Sequence, residues 1–498
     1  MTLQKIKNKI FKIVRKFFLR TNHIPLFKQL GILLYKLGLW IVVQKLKKIP
    51  TIESIYLKTK FNDYFTVGQS DLDLHVVLKE VEVNKEIKAM ETTNQAIDKI
   101  IKIFPFINEM QIYPHTNFNG IISRTPRGFY DPFTLIYGKK LDLNYSENLF
   151  DHMFAANFYY SDLLFTTYES TLNGDGTLRI PYKLFYKITR ILYSLENKKY
   201  TSDKKKLKTF LKDKGIPENF INTIYNLPNV QYKWDRELLI QILFNTIKLI
   251  ETSYKQNKDE YNKNTKLLTL KKRREKYENT NNEILEFVNN LDKQHVKSIY
   301  LFPKSAVYNA TCLITVIPSS LNYSDFKKQI SSILNNLHSL KSLKQVANAK
   351  VNMFTDAMRI TDFTMPLITT TTTLKIPGVK NGFQLNNRLI YNKLFGEVTK
   401  EFDFYEEHKR YYEFQSGYTI AVFLLANIKN QSPKERESYL RSMKRAKLIL
   451  EKGLLVHTRN IDKTYEKEFG KTDKVNFEDY KDVYTNIRKL MPDVYNQI

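Results

Sequence analysis

Apolar and polar residues alternate in several short segments of the first third of the chain. In residues 72–78, Leu72, Leu74 and Val76 occupy every second position, which predicts a half-buried β-strand. Residues 84–104 instead repeat their apolar side chains at helical spacing. Further strands are predicted at residues 54–59, 109–113 and 134–137. Strands that alternate with a helix predict an α/β (α+β) module with a mixed sheet.

The same order of segments occurs a second time in the C-terminal half. Three short matches keep their order: residues 54–57 with 298–301, residues 109–112 with 357–360, and residues 135–137 with 389–391. Ordered matches of this kind predict a duplicated module. In the second copy we expect a helix at residues 323–340 and strands at residues 298–302, at residues 313–317, near Met358 and near Thr370.

The segment between the two copies has a different pattern. Residues 148–285 are predicted to be mainly helical, and a Gly-Asp-Gly turn at 174–176 precedes a helix at 181–195. Helical spacing returns at residues 403–429 and 434–451. We therefore expect a basic helical N-terminal segment (1–50), a first α/β module (51–147), a helical domain (148–285), a second α/β module (286–400) and a C-terminal helical region (401–498).

Composition narrows the classes of partner. The chain has 498 residues and a formal net charge of +28, and a surplus of that size favours an anionic partner such as RNA, nucleotide phosphates or an anionic membrane surface. Cys312 is the single cysteine, so the sequence has no disulfide framework and no Cys-rich metal site. This cysteine usage predicts the cytoplasm or another reducing intracellular compartment.

The positive charge is concentrated at the N-terminal end. Twelve Lys or Arg precede Glu53, the first acidic residue, and residues 5–20 have the pattern of a basic amphipathic helix. This helix either docks on RNA phosphates, lies on an anionic membrane, or packs its apolar stripe on the core with its lysines solvated. Residues 31–43 are apolar but short, which predicts a buried helix and no transmembrane segment.

The segment Gly68-Gln-Ser-Asp71-Leu-Asp73-Leu carries the candidate chemistry. In a strand, residues two apart lie on the same face, about 7 Å from each other. Asp71, Asp73 and His75 would therefore share one face. Two carboxylates at this spacing repel each other unless cations neutralise them, and paired Mg²⁺ or Mn²⁺ ions do so in phosphoryl transfer. We predict no metal-ligand role for His75, which is more typical of a structural neighbour.

On these residues the first module resembles the DNA polymerase beta-like nucleotidyltransferase superfamily. The pattern that carries the resemblance is Ser70-Asp71-Leu-Asp73 on a strand, followed by Leu135-Ile-Tyr-Gly-Lys139 after the expected third acid. The resemblance covers residues 54–141. It implies a nucleotidyltransferase-like mixed sheet with helices, two divalent ions, and an NTP such as ATP as substrate.

The resemblance also implies roles for individual residues. Asp71, Asp73 and Glu109 are expected to hold the metal ions and to be catalytic, with Asp142 as the competing third acid. The family has a Gly-Ser turn after the first strand, where this chain has Lys58 and Thr59 and lacks the glycine that allows close backbone approach to phosphate. The expected nucleotide-binding residues are Lys58, Thr59, Ser70, Lys183 and Lys187.

The second copy lacks the acids of the first. The sequence matches align Asp73 with Leu313 and Glu109 with Ala357, which predicts a degenerate module. Two functions then remain open. The first is a metal-dependent nucleotidyltransferase that moves an NMP from an NTP to an acceptor hydroxyl and releases pyrophosphate, with RNA the favoured acceptor. The alternative is a catalytically inactive scaffold that binds nucleic acid or another anionic partner, which the missing glycine favours.

Overall fold

The structure is a computed structural model of the chain. It describes residues 13–58, 61–173, 178–226, 235–257, 274–275, 282–302, 311–337, 349–355, 390–396 and 477–496, except 15, 59–60, 62–64, 69, 105, 108, 116–117, 120–121, 123–124, 130–132 and 320, and single positions at 259, 444, 447, 451 and 467. The described residues form a mixed α/β fold with two sheets and a helical region between them.

The described part of the chain includes nine strands and ten helices of defined extent. The strands are β1 (Ile52–Leu57), β2 (Asp73–Leu78), β3 (Glu109–Pro114), β4 (Thr134–Gly138), β5 (Arg274–Glu275), β6 (Ser298–Phe302), β7 (Thr311–Ile317), β8 (Ala349–Thr355) and β9 (Ile390–Gly396). The helices are α1 (Pro25–Leu46), α2 (Val83–Ile103), α3 (Leu149–Asn173), α4 (Arg179–Asn197), α5 (Lys204–Asp213), α6 (Glu218–Tyr225), α7 (Arg236–Gln256), α8 (Asn282–Asn290), α9 (Tyr323–Asn336) and α10 (Phe477–Asn496).

The first sheet has the strand order β3-β2-β1-β4. Strand β2 pairs antiparallel with β1 and parallel with β3, and the parallel connection passes through α2, as a crossover requires. The alternation in residues 72–78 predicted this strand, and its apolar positions Leu74, Val76 and Leu78 are buried. His75 and Val77 are buried on the other side, so both faces of β2 are covered by protein.

The second sheet has the strand order β5-β9-β6-β7-β8, and four of its strands repeat the pairing of the first sheet. Strand β6 lies antiparallel between β7 and β9, and β7 pairs parallel with β8. The strands expected near Met358 and Thr370 lie outside the described residues. By their pairing, the described strands that correspond to β3 and β4 are β8 and β9.

Register gives different partners from those of the sequence matches. Leu57 pairs with Leu74 in the first sheet, and Leu301 pairs with Leu313 in the second. The position of Asp73 therefore corresponds to Cys312 and not to Leu313. Asp73 pairs with Glu109, whereas Cys312 pairs with Lys350. The equivalent of Glu109 is thus Lys350 and not Ala357.

Both sheets have the same irregularity where the last strand joins. The register of β1 with β4 shifts between Ile55 and Tyr56, and that of β6 with β9 shifts between Ile299 and Tyr300. Directly beyond each shift lies a glycine with positive φ, Gly138 (φ 86°) and Gly396 (φ 75°). A Cβ at either glycine would collide with a carbonyl oxygen of the neighbouring strand, so only glycine fits at either place.

Helices α3 to α9 and part of the second sheet share one hydrophobic core. The described residues between 148 and 285 are mainly helical, as the sequence predicts, and α7 begins at an Asp235 cap that accepts a hydrogen bond from the backbone of Leu238. The core runs from Phe129 to Leu337 and includes Ile299 and Ile317 of the second sheet. The core is therefore continuous across the expected boundary at 285–286.

Helix α1 packs one face on the first module. Pro25 is at its first turn, where a proline is tolerated because that N–H has no helical partner. The helix is longer than the apolar run of residues 31–43, and of the described helices it alone is long and apolar enough to cross a membrane by length and composition. Residues 16–21 before it are helical, and the rest of the predicted N-terminal helix lies mostly outside the described residues.

The C-terminal end of the chain returns to the first module. Helix α10 packs on α2, where the Tyr484 hydroxyl donates a 2.5 Å hydrogen bond to the Glu86 carboxylate and Arg488 forms an ion pair with it. Burial raises the pKa of Glu86, while these two partners lower it. The predicted helices at 403–429 and 434–451 lie outside the described residues, except for residues 444, 447 and 451, which are helical.

Candidate functional site

The candidate site lies at the N-terminal ends of β2 and β3, which are neighbouring parallel strands. Asp73 is the first residue of β2, and its parallel partner on β3 is Glu109, the first residue of that strand. In a parallel pair, residues in register lie side by side on one face of the sheet. The two acids proposed from the sequence are therefore neighbours across two strands although 35 residues separate them in the chain.

Asp71 lies just outside this strand. The sequence predicts Asp71, Asp73 and His75 on one strand face, but β2 begins only at Asp73 and Asp71 belongs to the preceding loop, where it is exposed. The two aspartates therefore reach the site from different backbone conformations. A loop carboxylate beside a strand carboxylate has more freedom to adjust to a ligand than two residues of one strand.

Lys58 forms an ion pair with Asp73. Its Nζ lies 3.4 Å from Oδ2 of Asp73, and its backbone N–H donates a 2.9 Å hydrogen bond to the Asp73 carbonyl, which extends the β1–β2 ladder by one residue. Both side chains are largely shielded, with 17% and 25% exposure. The lysine that follows β1, where the resemblance expects a Gly-Ser turn, is thus the counter-ion of a proposed metal ligand.

Helix α4 directs a row of three cations at this end of the sheet. Arg179, Lys183 and Lys187 are four residues apart and therefore lie on one face of the helix. The Arg179 guanidinium donates a 3.5 Å hydrogen bond to Oγ of Ser70, which also accepts a 2.9 Å hydrogen bond from the backbone of Thr66. Ser70 therefore joins the loop before Asp71 to the start of α4.

The cations of α4 crowd each other. The charge of Lys187, followed by burial, lowers the pKa of Lys183 to about 8, and the negative charge of Asp73 opposes this shift. Burial, followed by the charge of Lys58, lowers the pKa of Lys187 to about 8. Because the Lys183 side chain is exposed to solvent, its lowered pKa is due mainly to the neighbouring charge of Lys187 and less to burial. Both lysines are charged at neutral pH and under mutual repulsion that an anion would relieve.

Tyr159 fixes the position of Lys187. The Lys187 ammonium donates a 3.1 Å hydrogen bond to the Tyr159 hydroxyl and lies 4.4 Å from the centre of its ring. Tyr159 is itself buried in the helical core and packs on Phe129. No local sequence pattern predicts this contact, because Tyr159 lies on α3 and only tertiary packing brings it to the site.

His75 forms part of the structural support. It is buried in an aromatic cluster, with ring centres 5.3 Å from Tyr113 and 4.8 Å from Phe133. Burial, with a smaller contribution from Lys58, lowers the pKa of His75 far below its usual value, so the ring is neutral. The structural role expected from the sequence agrees with this packing.

Comparisons with protein-family models, with curated proteins and with solved structures found no match to this chain. The function of the site is therefore argued from its own geometry.

The remaining expected site residues lie elsewhere. Thr59 is outside the described residues, and the backbone of Glu109 is described but its side chain is not. Asp142 is exposed and follows β4 at the opposite end of the sheet, where Gly138 pairs with Ser54. The register therefore favours Glu109 over Asp142 as the neighbour of Asp73. Among the described side chains, no three His, Cys, Asp or Glu are grouped as metal ligands.

Proposed function

We propose that this chain is a metal-dependent nucleotidyltransferase that moves an NMP from an NTP to an acceptor hydroxyl and releases pyrophosphate. The single observation that carries the proposal is the register of Asp73 beside Glu109. The negative charge of Asp73 also acts on both Lys183 and Lys187 of α4. Carboxylates that can hold divalent ions, placed opposite lysines that repel each other, match the charge pattern of a metal–triphosphate ligand.

The donor set fits hard divalent cations. Asp71, Asp73 and Glu109 offer only carboxylate oxygens, which Mg²⁺ and Mn²⁺ prefer, and they would hold these ions in the proposal. Two bound ions would supply Lewis-acid neutralisation of the phosphates and a lower pKa for the acceptor hydroxyl. This donor set is a reason to test for metal dependence.

In the proposal, the cationic side chains of the site bind the triphosphate. Lys183 and Lys187 would bind phosphate oxygens, and Arg179 would orient both the phosphates and the Ser70 loop. Lys58 would leave the Asp73 carboxylate when a divalent ion replaces it, and would then be available to the phosphates. Because Tyr159 fixes Lys187, that lysine would contribute a placed charge instead of a mobile one.

The net charge of the protein, more than the geometry of the site, indicates which acceptor to test first. A net charge of +28 favours RNA, whose 3′ hydroxyl would be the nucleophile, and RNA is the first acceptor to test. A small molecule and a protein side chain are the other candidate acceptors, and label transfer is followed into all three.

One observation favours the inactive scaffold as the second candidate. The Lys58–Asp73 ion pair satisfies the carboxylate without any metal, and an internal cation of this kind is what a degenerate metal site would acquire. In that case the cluster of α4 would bind a phosphorylated partner without turnover. The two candidates make opposite predictions for metal dependence.

We further propose that the two sheets arose by duplication and that the second copy is non-catalytic. The shared strand order, the shared register shift and the paired glycines Gly138 and Gly396 support this origin. At the positions of Asp73 and Glu109 the second sheet has Cys312 and Lys350, which cannot form a carboxylate pair.

The test is transfer of label from each α-³²P-NTP, with Mg²⁺ or Mn²⁺, to total RNA, to a small-molecule extract or to protein. The full chain is compared with the double variant Asp71→Asn/Asp73→Asn. Asp142→Asn is the matched control, because it removes an exposed carboxylate from the same module at the other end of the sheet. Binding of each NTP is measured in parallel with and without the metal.

The expected result is metal-dependent transfer that the double variant loses and the control retains. The class of molecule that takes the label identifies the acceptor. Metal-independent NTP or phosphate binding without transfer to any of the three would instead support the scaffold. Transfer that survives in the double variant would show that these aspartates are not the catalytic acids.

A further inference from the structure

The outer face of α1 is an uncovered apolar stripe. Leu26, Leu30, Leu33, Leu37 and Trp40 follow each other at steps of four and three residues and are 75%, 47%, 60%, 54% and 59% exposed. At 100° per residue they fall within one narrow sector of the helix. Ten of the thirteen large apolar side chains exposed in the described part of the chain lie between residues 13 and 40. A single concentrated patch of this kind marks an interaction surface.

The opposite face of α1 is fixed to the first module. Gly31 lies against Val67 and Gly38 against Phe106, so closely that a Cβ at either glycine would collide with that side chain. The Tyr35 hydroxyl accepts a 3.1 Å hydrogen bond from the backbone of Gly68. A helix that is joined to folded protein along one face cannot be surrounded by lipid. Its apolar stripe can therefore enter a membrane surface but α1 does not cross the bilayer in this fold.

The charged residues of the N-terminal segment that contains the stripe have one sign. Within the first 52 residues there are twelve Lys or Arg and no Asp or Glu. Lys36 is exposed beside the stripe, and Lys45, Lys47 and Lys48 are exposed at the C-terminal end of the helix. An apolar stripe with cations and no acidic residue in the same segment of the chain fits a surface that offers acyl chains bordered by anionic headgroups.

We infer that the stripe Leu26–Leu30–Leu33–Leu37–Trp40 docks this protein on an anionic lipid bilayer, with α1 lying in the interface. A second copy of the chain fits less well, because it would bring another set of twelve uncompensated cations to the same contact. RNA fits less well, because its phosphates bind cationic and hydrogen-bonding groups and would leave the four exposed leucines in contact with water. Trp40 ends the stripe beside the lysines, a position that matches the interfacial preference of tryptophan.

Docking would also set the position of the candidate active site. The inner face of α1 contacts Phe65, Val67 and Gly68, which belong to the loop that leads to Asp71. That loop would therefore lie about one helix diameter, roughly 10 Å, from the bilayer. Docking does not depend on the proposed nucleotidyl transfer, and it can be measured without NTP or metal.

The experiment is co-sedimentation of the full chain with vesicles of phosphatidylcholine alone or with phosphatidylglycerol added. The test variant is Leu33→Gln/Leu37→Gln, in the middle of the stripe. Ile103→Gln is the matched control, since Ile103 is an exposed aliphatic residue of the same module outside the stripe, at 52% exposure. Thermal unfolding of each variant verifies that the fold is retained, which exposed positions should allow.

We expect binding to the anionic vesicles, weakened at least about tenfold by Leu33→Gln/Leu37→Gln and unchanged by Ile103→Gln. High salt should weaken binding, and alkaline carbonate should release the protein from the vesicles. Each of four results would overturn the inference. These are no vesicle binding, equal binding to neutral vesicles, retention after carbonate, and a leucine-dependent dimer or RNA complex in place of vesicle binding.

Discussion

The two sheets of this protein have one topology and different chemistry. In both, an antiparallel pair is extended by a parallel strand on one side and by an irregular strand ending in a positive-φ glycine on the other. At the start of the second strand the first sheet has Asp73 beside Glu109, and the second has Cys312 beside Lys350. Lys58, the partner of Asp73, corresponds to Phe302.

Comparison of the two sheets distinguishes residues that the fold requires from residues that the proposed site requires. The positions that both sheets keep are apolar strand residues and the glycines at the register shift, and these are requirements of packing and backbone conformation. The positions that differ are charged residues at one end of the sheet. A module can lose these without losing its fold, because they contribute little to the buried core.

The largest expected effect is on the rate of label transfer. It compares substitutions at matching positions of the two sheets. Asp73→Ala should lower metal-dependent label transfer by about 1000-fold or more, because it removes a ligand on which the proposed transition state depends. Cys312→Ala, at the matching position of the second sheet, should leave transfer unchanged. Initial rates of label transfer at saturating NTP measure both.

Equal losses in Asp73→Ala and Cys312→Ala would contradict this contrast. Such a result would mean either that both sheets are catalytic or that both substitutions act through stability. Unfolding midpoints in urea, measured on the same preparations, distinguish these cases.

The second prediction concerns what the two sheets share. Gly138→Ala and Gly396→Ala should each destabilise the protein by about 3 kcal/mol, because each places a Cβ at positive φ against a carbonyl oxygen of the adjacent strand. Urea unfolding followed by circular dichroism measures both. Gly215→Ala is the control, since Gly215 also has positive φ but nothing lies within contact distance of its Cβ, so its cost should be clearly smaller.

A large loss at Gly138 with no loss at Gly396 would break the comparison. It would show that the glycine of the second sheet is not under the same backbone constraint. The proposed common origin would then rest on the shared strand order and register shift.

The third prediction concerns the cations that face only the first sheet. Lys183→Met/Lys187→Met should weaken NTP binding by about 30-fold, because it removes two charges from the phosphate site and retains the aliphatic stems. Lys206→Met, on the exposed side of α5, should change binding by less than about twofold. Equilibrium binding of a labelled NTP at fixed ionic strength is the measurement, and an equal effect of both variants would mean that only net charge matters.

The sequence predicts most of the first module, since alternation and helical spacing are local properties. The strands at 109–113 and 134–137 and the helix at 84–104 agree with the structure within two residues. Asp71 was expected in the strand, because alternation of Leu72 and Leu74 does not show where strand pairing begins. The structure pairs β2 only from Asp73 onward.

Tertiary contacts account for what the sequence could not predict. Lys183 and Lys187 were expected at the site from the resemblance, but neither the Lys58–Asp73 ion pair nor the Lys187–Tyr159 contact has a local sequence signal. The second sheet shows the same limit. Identical short segments located the copy, while only hydrogen-bond register identified Cys312 and Lys350 as the matching positions.

The fourth prediction is the smallest, and it uses pH to distinguish phosphate binding from stability. Lys183 and Lys187 have pKa values of about 8, lowered from 10.5, so the unfolded chain binds more protons than the folded chain between pH 8 and 10.5. Their contribution to stability therefore becomes more favourable as pH rises through this window. NTP binding needs both ammonium groups and should weaken by about tenfold between pH 8 and 9, where the phosphates, with a second pKa near 6, no longer titrate.

The opposite directions of the two effects make the fourth prediction specific. If NTP binding were lost through unfolding, stability and NTP affinity would fall together as pH rises. If it is lost because the two lysines lose their protons, NTP affinity falls while the contribution of these lysines to stability rises. Taking the difference between the native chain and Lys183→Met/Lys187→Met removes the titration of all other groups. If that difference in affinity stays constant from pH 7 to 9, these two lysines are not the groups that hold the phosphates beside Asp73.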